Sequence, residues 1–261
     1  MKLIKKKSIS NTDLNQRITL NSKFQKVNFI SWQKAKYKKI LLNHFKKNKN
    51  NIKILDIGCG TGIQTEIFIN FFRKPKILST DISLKSLLQL KRKYPQNYVK
   101  IKKLDMNKLK SFFYKKNKSI NKFDLIHSSY SLYYANKPKK ILNELFSALE
   151  ENGVFLVSAP DEPHEMVNFI KRNAFVSTRV LKTLEFYKKI LLPFFIRKTK
   201  GKVTTYKKIN LIKFDNINSF VKFWKSTTYY SKKYNSKIIE RLKNHNLNFK
   251  KISAIASMRK N

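Results

Sequence analysis

The chain has 261 residues and a mass of 31.0 kDa, enough for one large domain or two small ones with a sizeable buried core. Its 41% hydrophobic and 13% aromatic content excludes a disordered chain. A single cysteine, Cys59, excludes a disulfide framework and agrees with a reducing compartment. The 58 basic and 15 acidic residues give a net charge of +43, which is far from the balance of an ordinary soluble domain.

That positive charge comes almost entirely from lysine, with 50 Lys against 8 Arg. Arginine binds phosphates with its planar guanidinium, so a chain adapted to nucleic acid is expected to use it freely. The lysine excess accompanies abundant Asn, Ile, Phe and Tyr, and this pattern favours a compositional origin of the charge. The alternative stays open that part of the charge attracts an acidic partner such as RNA or a carrier protein.

No targeting or membrane segment is expected from the apolar pattern. The N-terminal stretch 1–7 is basic but leads into polar residues, so a secretory signal is not predicted. The longest uncharged apolar run, residues 190–196, is far shorter than the roughly 20 residues that cross a bilayer. We therefore expect a cytoplasmic protein without a transmembrane segment.

The first part of the chain, residues 1–50, predicts an N-terminal helical segment, because apolar residues recur with helical spacing from about Ile30 onward. From there to residue 160, short apolar runs alternate with helix-like stretches. The runs that predict strands are 52–57, 76–80, 98–104, 123–128 and 153–159. This alternation predicts an α/β fold with a Rossmann-like, doubly wound, mostly parallel sheet and helices on both faces.

The alternation stops after Pro160. Residues 161–202 are apolar, basic and predicted to be helical, and we interpret them as a lid inserted after the fifth strand. Residues 203–261 predict further strands and helices. The sequence thus predicts one domain over residues 1–261, made of an N-terminal segment 1–50, a core 52–160, a lid 161–202 and a C-terminal part 203–261.

A glycine-rich turn is the sharpest motif. Residues 54–62 read Ile-Leu-Asp-Ile-Gly-Cys-Gly-Thr-Gly, so three of the five glycines fall within five positions after a predicted strand. Glycine allows a tight turn and the close approach of a ligand, and the following helix points its free N–H groups at the same place. The spacing differs from that of pyrophosphate-binding turns, so a nucleoside without a pyrophosphate fits better. The alternative is a plain strand-to-helix turn.

Aspartates mark the ends of the predicted strands. Four of the seven Asp residues end or flank them, namely Asp56, Asp81, Asp105 and Asp124. Ligands of open parallel sheets bind at the carboxyl ends of the strands. Asp81 is placed to accept hydrogen bonds from two ribose hydroxyls and Asp105 to lie beside a base, whereas Asp124 is interpreted as structural. For each of them the alternative is a helix cap.

Together with Phe123-Asp124-Leu125-Ile126 and Asn152-Gly153, these motifs resemble the class I S-adenosylmethionine-dependent methyltransferases over about residues 52–160. The resemblance implies S-adenosylmethionine as the cofactor. The cofactor contacts that it implies are Asp56, Gly58, Cys59, Gly60, Gly62, Asp81, Ile82, Asp105, Met106, His127 and Ser128. More weakly, the C-terminal part, from the run 209–215, is similar to the malonyl-carrier and trans-aconitate methyltransferases.

Methyl transfer from a sulfonium needs orientation above all, and orientation alone contributes roughly 7 to 11 kcal/mol. A general base is needed only for acceptors such as an alcohol or an ammonium group. The candidates for it are His127, Tyr130 and His164, with Asp161 and Glu162 nearby in the sequence. Each of the three also has a structural interpretation, as pocket wall, core or helix start.

Other chemistries are disfavoured by what the sequence contains. Methylation at C5 of a pyrimidine requires a nucleophilic cysteine, and Cys59 lies within the predicted cofactor turn. Residues 127–130 read His-Ser-Ser-Tyr, unlike the Asn/Asp-Pro-Pro-aromatic motif typical of amino-group methylation of bases. No Cys/His cluster predicts a metal site.

The predicted function is therefore methyl transfer from S-adenosylmethionine to an O or N atom of a small molecule or a carrier-bound acceptor. One alternative is an RNA methyltransferase acting on tRNA or rRNA, in which the charge of +43 is functional. The other is a non-catalytic binding module with a methyltransferase-like fold. The sequence leaves the acceptor atom and the oligomeric state open.

Overall fold

The computed structural model describes residues 19–20, 23–24, 28–95, 97–113, 122–227 and 229–261. The basic stretch 1–7 and most of the first 27 residues of the predicted N-terminal segment lie outside these ranges. Seven strands are described, with the bounds β1 Lys53–Ile57, β2 Lys76–Asp81, β3 Val99–Lys103, β4 Phe123–Ser129, β5 Leu149–His164, β6 Val203–Lys213 and β7 Asn248–Arg259.

The helices of eight or more residues in these ranges are α1 Phe29–His44, α3 Leu84–Lys93, α5 Pro138–Ser147, α6 Glu165–Asn173, α7 Thr178–Phe186, α8 Leu192–Thr199, α9 Ile217–Lys225 and α10 Asn235–Lys243. The shorter helices are α2 Thr65–Phe71 and α4 Leu109–Phe113. A π-helical turn, Tyr187–Leu191, joins α7 to α8. None of the described helices is long and apolar enough to cross a membrane.

The strands form one seven-stranded sheet in the order β3-β2-β1-β4-β5-β7-β6. β1 pairs in parallel with both β2 and β4, so the order reverses beside β1. β2–β3 and β4–β5 are also parallel pairs. Such a reversal opens a crevice at the carboxyl ends of the strands, where ligands of doubly wound sheets bind. The predicted Rossmann-like α/β fold and its strands are confirmed.

Helices cover both faces of this sheet because alternate strand residues point to opposite sides. On one face, α1, α2 and α3 pack on a cluster that contains Ile54 of β1. On the other, α4, α5 and α8 pack on a cluster that contains Leu55 and Ile57 of the same strand. Helices on both faces leave the strand ends, rather than either face of the sheet, as the place for a site.

The chain divides into two compact units. The larger comprises Ile30–Glu162, Lys182–Lys208 and Ile252–Asn261, and it holds the glycine turn. The smaller comprises Pro163–Leu181 and Ile209–Lys251, together with the described residues that precede Ile30. Aromatic rings fill the interior of the smaller unit, with centroids 5.2 Å apart for Phe214–Phe220 and 5.5 Å apart for Phe220–Phe249.

This division differs from the predicted four-part single domain. The predicted lid, 161–202, contributes Pro163–Leu181 to the smaller unit and Lys182 onward to the larger. The physical reason is that Leu191, Phe194 and Phe195 are buried in the core cluster of the larger unit. A covering role for the rest of the segment stays a prediction.

Candidate active site

The glycine turn after β1 has left-handed backbone at each of its glycines. The φ angles are +63° at Gly58, +55° at Gly60 and +82° at Gly62, which residues with a Cβ seldom adopt. A Cβ on Gly58 would lie closer than 3.0 Å to the Ser131 side chain, and one on Gly62 would lie 2.8 Å from Leu90. The sequence predicts that these glycines allow the close approach of a ligand, but at Gly58 and Gly62 the close neighbours are side chains of the protein itself.

Asp81 connects the ends of β1 and β2. Its Oδ2 accepts the backbone N–H of Gly60 at 3.0 Å, and its Oδ1 accepts that of Ser83 at 2.8 Å. Burial raises the pKa of this carboxyl above its ordinary value. Each carboxylate oxygen has a second lone pair, so Asp81 retains the capacity to accept from two ligand hydroxyls. The next side chain, Ile82, is 56% exposed and offers an apolar surface beside it.

Asp105 and Met106 lie after β3 at the same edge. Asp105 caps the 3-10 turn that begins at Met106, and its Oδ1 accepts from the Asn107 backbone at 2.9 Å and from the Asn107 side chain at 2.7 Å. The capping alternative therefore accounts for these contacts. Asp124 lies at the opposite edge, where its Oδ2 accepts the Lys53 N–H at 2.8 Å, in agreement with its structural interpretation.

Asp56 and His127, both predicted to contact the cofactor, lie in the core of the larger unit instead. Each is 1% exposed, and His127 Nδ1 is 2.8 Å from Asp56 Oδ1. Thr65 donates to the other oxygen of Asp56 at 2.7 Å, and His127 Nε2 is 3.0 Å from the Tyr37 hydroxyl. The reason is the strand alternation, which turns both side chains toward the face that α1 and α2 cover. The burial of Asp56 and His127 therefore disfavours the predicted direct contact of either residue with the cofactor.

Gln33 on α1 is a functional candidate that the sequence analysis missed. Its Nε2 is 3.0 Å from the hydroxyls of both Ser129 and Ser158, and its Oε1 accepts from Gln64 at 3.1 Å. This side chain thereby connects α1 to the end of β4, to Ser158 within β5 and to the start of α2. A signal was available, because Gln33 precedes the buried Tyr37 by four residues on the apolar face of a helix.

Of the remaining predicted residues, Ser128 and Cys59 are buried and Tyr130 is partly buried. Ser128 is fully buried, and its hydroxyl is 2.6 Å from that of Ser131. Burial raises the pKa of the Cys59 thiol well above its usual value, so this cysteine is a poor nucleophile. Tyr130 has a φ of +53°, rare for a bulky residue, and burial raises the pKa of its phenol.

His164, in the smaller unit, is the last residue of β5. Its Nδ1 is buried and has no hydrogen-bond partner among the described residues. Burial, aided by the positive charge of Lys251, lowers the pKa of His164 to about 3. An imidazole with so low a pKa holds a proton poorly at neutral pH, which disfavours the role of general base.

Comparison with known proteins now identifies the family. The family described as "Methyltransferase domain" matches residues 48–211. The chain belongs to this family. The sequence predictions of a class I methyltransferase and of S-adenosylmethionine as its cofactor are confirmed. No group of three or more His, Cys, Asp or Glu side chains within the described ranges is placed to hold a metal ion.

A curated relative is trans-aconitate 2-methyltransferase of Variovorax paradoxus, 25% identical over 120 residues, which are 46% of this chain. The matched part spans only 43% of that relative's length. A similar solved structure is a Bacillus halodurans protein described as a methyltransferase, with a TM-score of 0.58, 12% identity and coverage of 87% of this chain and 99% of that one.

A second solved structure is phosphoethanolamine N-methyltransferase 2 of Haemonchus contortus in complex with S-adenosylmethionine. It has a TM-score of 0.54 and 14% identity, and the match covers 98% of this chain and 59% of that one. At such identities both solved structures show the shared fold and nothing finer.

Proposed function

We propose that the protein transfers the methyl group of S-adenosylmethionine to an O or N atom of a small molecule or a carrier-bound acceptor. The observation that carries the proposal is the joint position of the glycine turn and Asp81. They lie at the carboxyl edge of the sheet, beside the reversal of strand order, and they are hydrogen-bonded to each other.

The residues at this edge suit an adenosyl group. Asp81 would accept hydrogen bonds from the two ribose hydroxyls, while Ile82 would pack its exposed side chain against the base. Gly60 approaches with backbone alone, and its N–H holds the carboxylate of Asp81 in place. Asp105, already bonded to Asn107 through Oδ1, would use Oδ2 toward the base.

When bound, S-adenosylmethionine supplies a methyl group on a positively charged sulfonium, which is a good leaving group. The protein's contribution is therefore to orient the acceptor in line with that methyl group and to exclude water. Two of the proposed bases, His127 and His164, are disfavoured by their environments, the first by its bonds to Asp56 and Tyr37 and the second by its lowered pKa. A raised pKa likewise keeps the proton on Tyr130.

The curated relative supports a small acceptor, because it is named for trans-aconitate, a small carboxylate. The proposal leaves the acceptor atom open between oxygen and nitrogen. Because the chain carries a net charge of +43, RNA is an alternative acceptor and is tested together with the small molecules.

The test uses the full chain and methyl-labelled S-adenosylmethionine with four acceptor panels: small carboxylates, small amines, alcohols, and tRNA with rRNA fragments. Label transfer to one small-molecule panel, reduced at least tenfold by Asp81→Ala at a cofactor concentration below its Kd, supports the proposal. Transfer to RNA alone, with a steep salt dependence, would replace it with the RNA alternative. Absence of cofactor binding would leave the non-catalytic module.

A further inference from the structure

A second polar cluster lies in the larger unit, away from the cofactor turn. Asp161, near the end of β5, is 1% exposed, and its Oδ2 is 2.7 Å from Lys207 Nζ on β6. The other oxygen of Asp161, Oδ1, is buried without a hydrogen-bond partner in the described part of the chain. Tyr187 is fully buried, and its hydroxyl also has no hydrogen-bond partner in the described part of the chain.

The residues that carry the two unpartnered groups both lie close to Lys207. Lys207 Nζ, already paired with Asp161, lies 5.4 Å from the centroid of the Tyr187 ring. Burial and the negative charge of Asp161 raise the pKa of the Tyr187 phenol to about 12, so it retains its proton. The pair therefore presents one hydrogen-bond acceptor and one donor. A buried polar group without a partner destabilises the folded chain, so both groups favour a ligand that satisfies them.

The backbone around Tyr187 is also unusual. Tyr187 begins the π-helical turn Tyr187–Leu191 between α7 and α8. Such turns are rare and occur often at functional sites. Here the turn begins at the residue that carries the unpartnered hydroxyl.

The cluster lies at the ligand edge of the sheet. Ser158 pairs with Ser129 in the β4–β5 register, and Asp161 is three residues further along β5, or about 10 Å toward the carboxyl end. The glycine turn follows β1 at that same edge, and β1 and β5 both neighbour β4. Asp161 thus lies on the second strand from β1, the strand that the glycine turn follows.

Resting on the proposed function, we propose that Asp161, Tyr187 and Lys207 bind a hydroxyl group of the methyl acceptor. An alcohol O–H donates a hydrogen bond to Asp161 Oδ1, and the alcohol oxygen accepts a hydrogen bond from the Tyr187 hydroxyl, which satisfies both groups at once. A substrate ammonium would meet the charge of Lys207, and a carboxylate would meet that of Asp161. The Lys207 side chain is 51% exposed on a flexible stem, so its movement opens the way in from solvent.

The experiment follows the tyrosine signals of the full chain, labelled with ¹³C at tyrosine Cζ, by NMR. Glycerol is titrated as the alcohol probe, with methylammonium and acetate as matched ionic probes. The Tyr187 signal is identified by its absence in Tyr187→Phe. We expect a saturable shift of this signal with glycerol, at least tenfold weaker with either ion. Asp161→Asn should reduce the apparent affinity for glycerol at least tenfold.

Tyr206→Phe is the control, because Tyr206 precedes Lys207 on β6 and packs with the cluster on the opposite face of the sheet. It should leave the glycerol shift of Tyr187 unchanged. The assignment would be overturned if the Tyr187 signal does not shift with glycerol, or if it shifts equally with all three probes. It would also be overturned by a response to D₂O exchange alone, because that would indicate a bound water only.

S-adenosylmethionine is titrated into the same sample to keep this inference apart from the proposed function. Cofactor binding without a glycerol response refutes the hydroxyl site alone. A failure of the cofactor to bind refutes the proposed function instead. Because Asp161→Asn removes a buried charge, its circular dichroism spectrum is compared with that of the native chain. If it is unfolded, the selectivity of the Tyr187 shift for glycerol over methylammonium and acetate carries the test.

Discussion

Substituting Gly58 with alanine tests the packing of the glycine turn. The new Cβ would require left-handed backbone at a φ of +63°, a cost of about 1 to 2 kcal/mol for a residue with a Cβ. It would also meet the Cβ and Oγ of Ser131 closer than 3.0 Å, and overpacking of that kind costs about 1 to 3 kcal/mol. We therefore expect Gly58→Ala to lower the free energy of unfolding by about 2 to 5 kcal/mol.

Urea unfolding of the variant and two controls separates the two contributions. Gly201→Ala is the first control, because its φ is +92° but no atom lies within 4 Å of the added Cβ, so it carries backbone strain alone. The second is the double variant Gly58→Ala with Ser131→Gly, which removes both clashing atoms. The coupling between the two sites should recover about 1 to 3 kcal/mol. Equal losses in Gly58→Ala and Gly201→Ala, with no coupling to Ser131, would refute the reasoning.

Three further outcomes follow from the buried ionisable groups. His127→Ala leaves Asp56 buried without its histidine partner, so the free energy of unfolding should fall by about 3 to 5 kcal/mol. Tyr37→Phe removes only a hydroxyl, and the fall should be about 1 to 2 kcal/mol. Urea unfolding in which Tyr37→Phe is the more destabilised variant would contradict this network. Because the pKa of His164 is lowered from 6.5 to about 3, the unfolded chain binds more protons in that window and stability is lost as the pH falls through it. His164→Gln should flatten this acid loss in a series of melts, and parallel curves would argue against it. Because burial raises the pKa of Asp81, cofactor affinity should start to fall at a pH higher than an ordinary aspartate would give, which calorimetry from pH 8 downward can show.

The sequence predicted the sheet well because its signals are local. Short β-branched runs such as 52–57 form strands through their own pattern, and the alternation with helices settles parallel pairing. The glycine turn and Asp81 were likewise found from spacing within one segment. Pro138 at the start of α5 is another local signal that the structure bears out.

What the sequence could not give depends on contacts between distant segments. His127 and Asp56 are 71 residues apart, and only the β1–β4 pairing brings them together under α1. Asp161 and Lys207 are likewise distant in the sequence and are brought together only by the sheet. The lid prediction depends on tertiary packing as well, because helical periodicity does not show which part of the protein the apolar face of α8 contacts. Local pattern identifies a polar residue, whereas tertiary pairing decides whether it faces a ligand or another side chain.

Isothermal titration of S-adenosylmethionine into the native chain, Asp81→Ala and Asp124→Ala tests the central claim most directly. Both substitutions remove a carboxylate that accepts a backbone N–H, but Asp124 lies at the opposite edge of the sheet. Loss of hydrogen bonds to a charged group costs about 1.5 to 3 kcal/mol, so Asp81→Ala should bind the cofactor roughly 10- to 150-fold more weakly, while Asp124→Ala binds like the native chain. Equal affinities in all three proteins would contradict the assignment of the cofactor site.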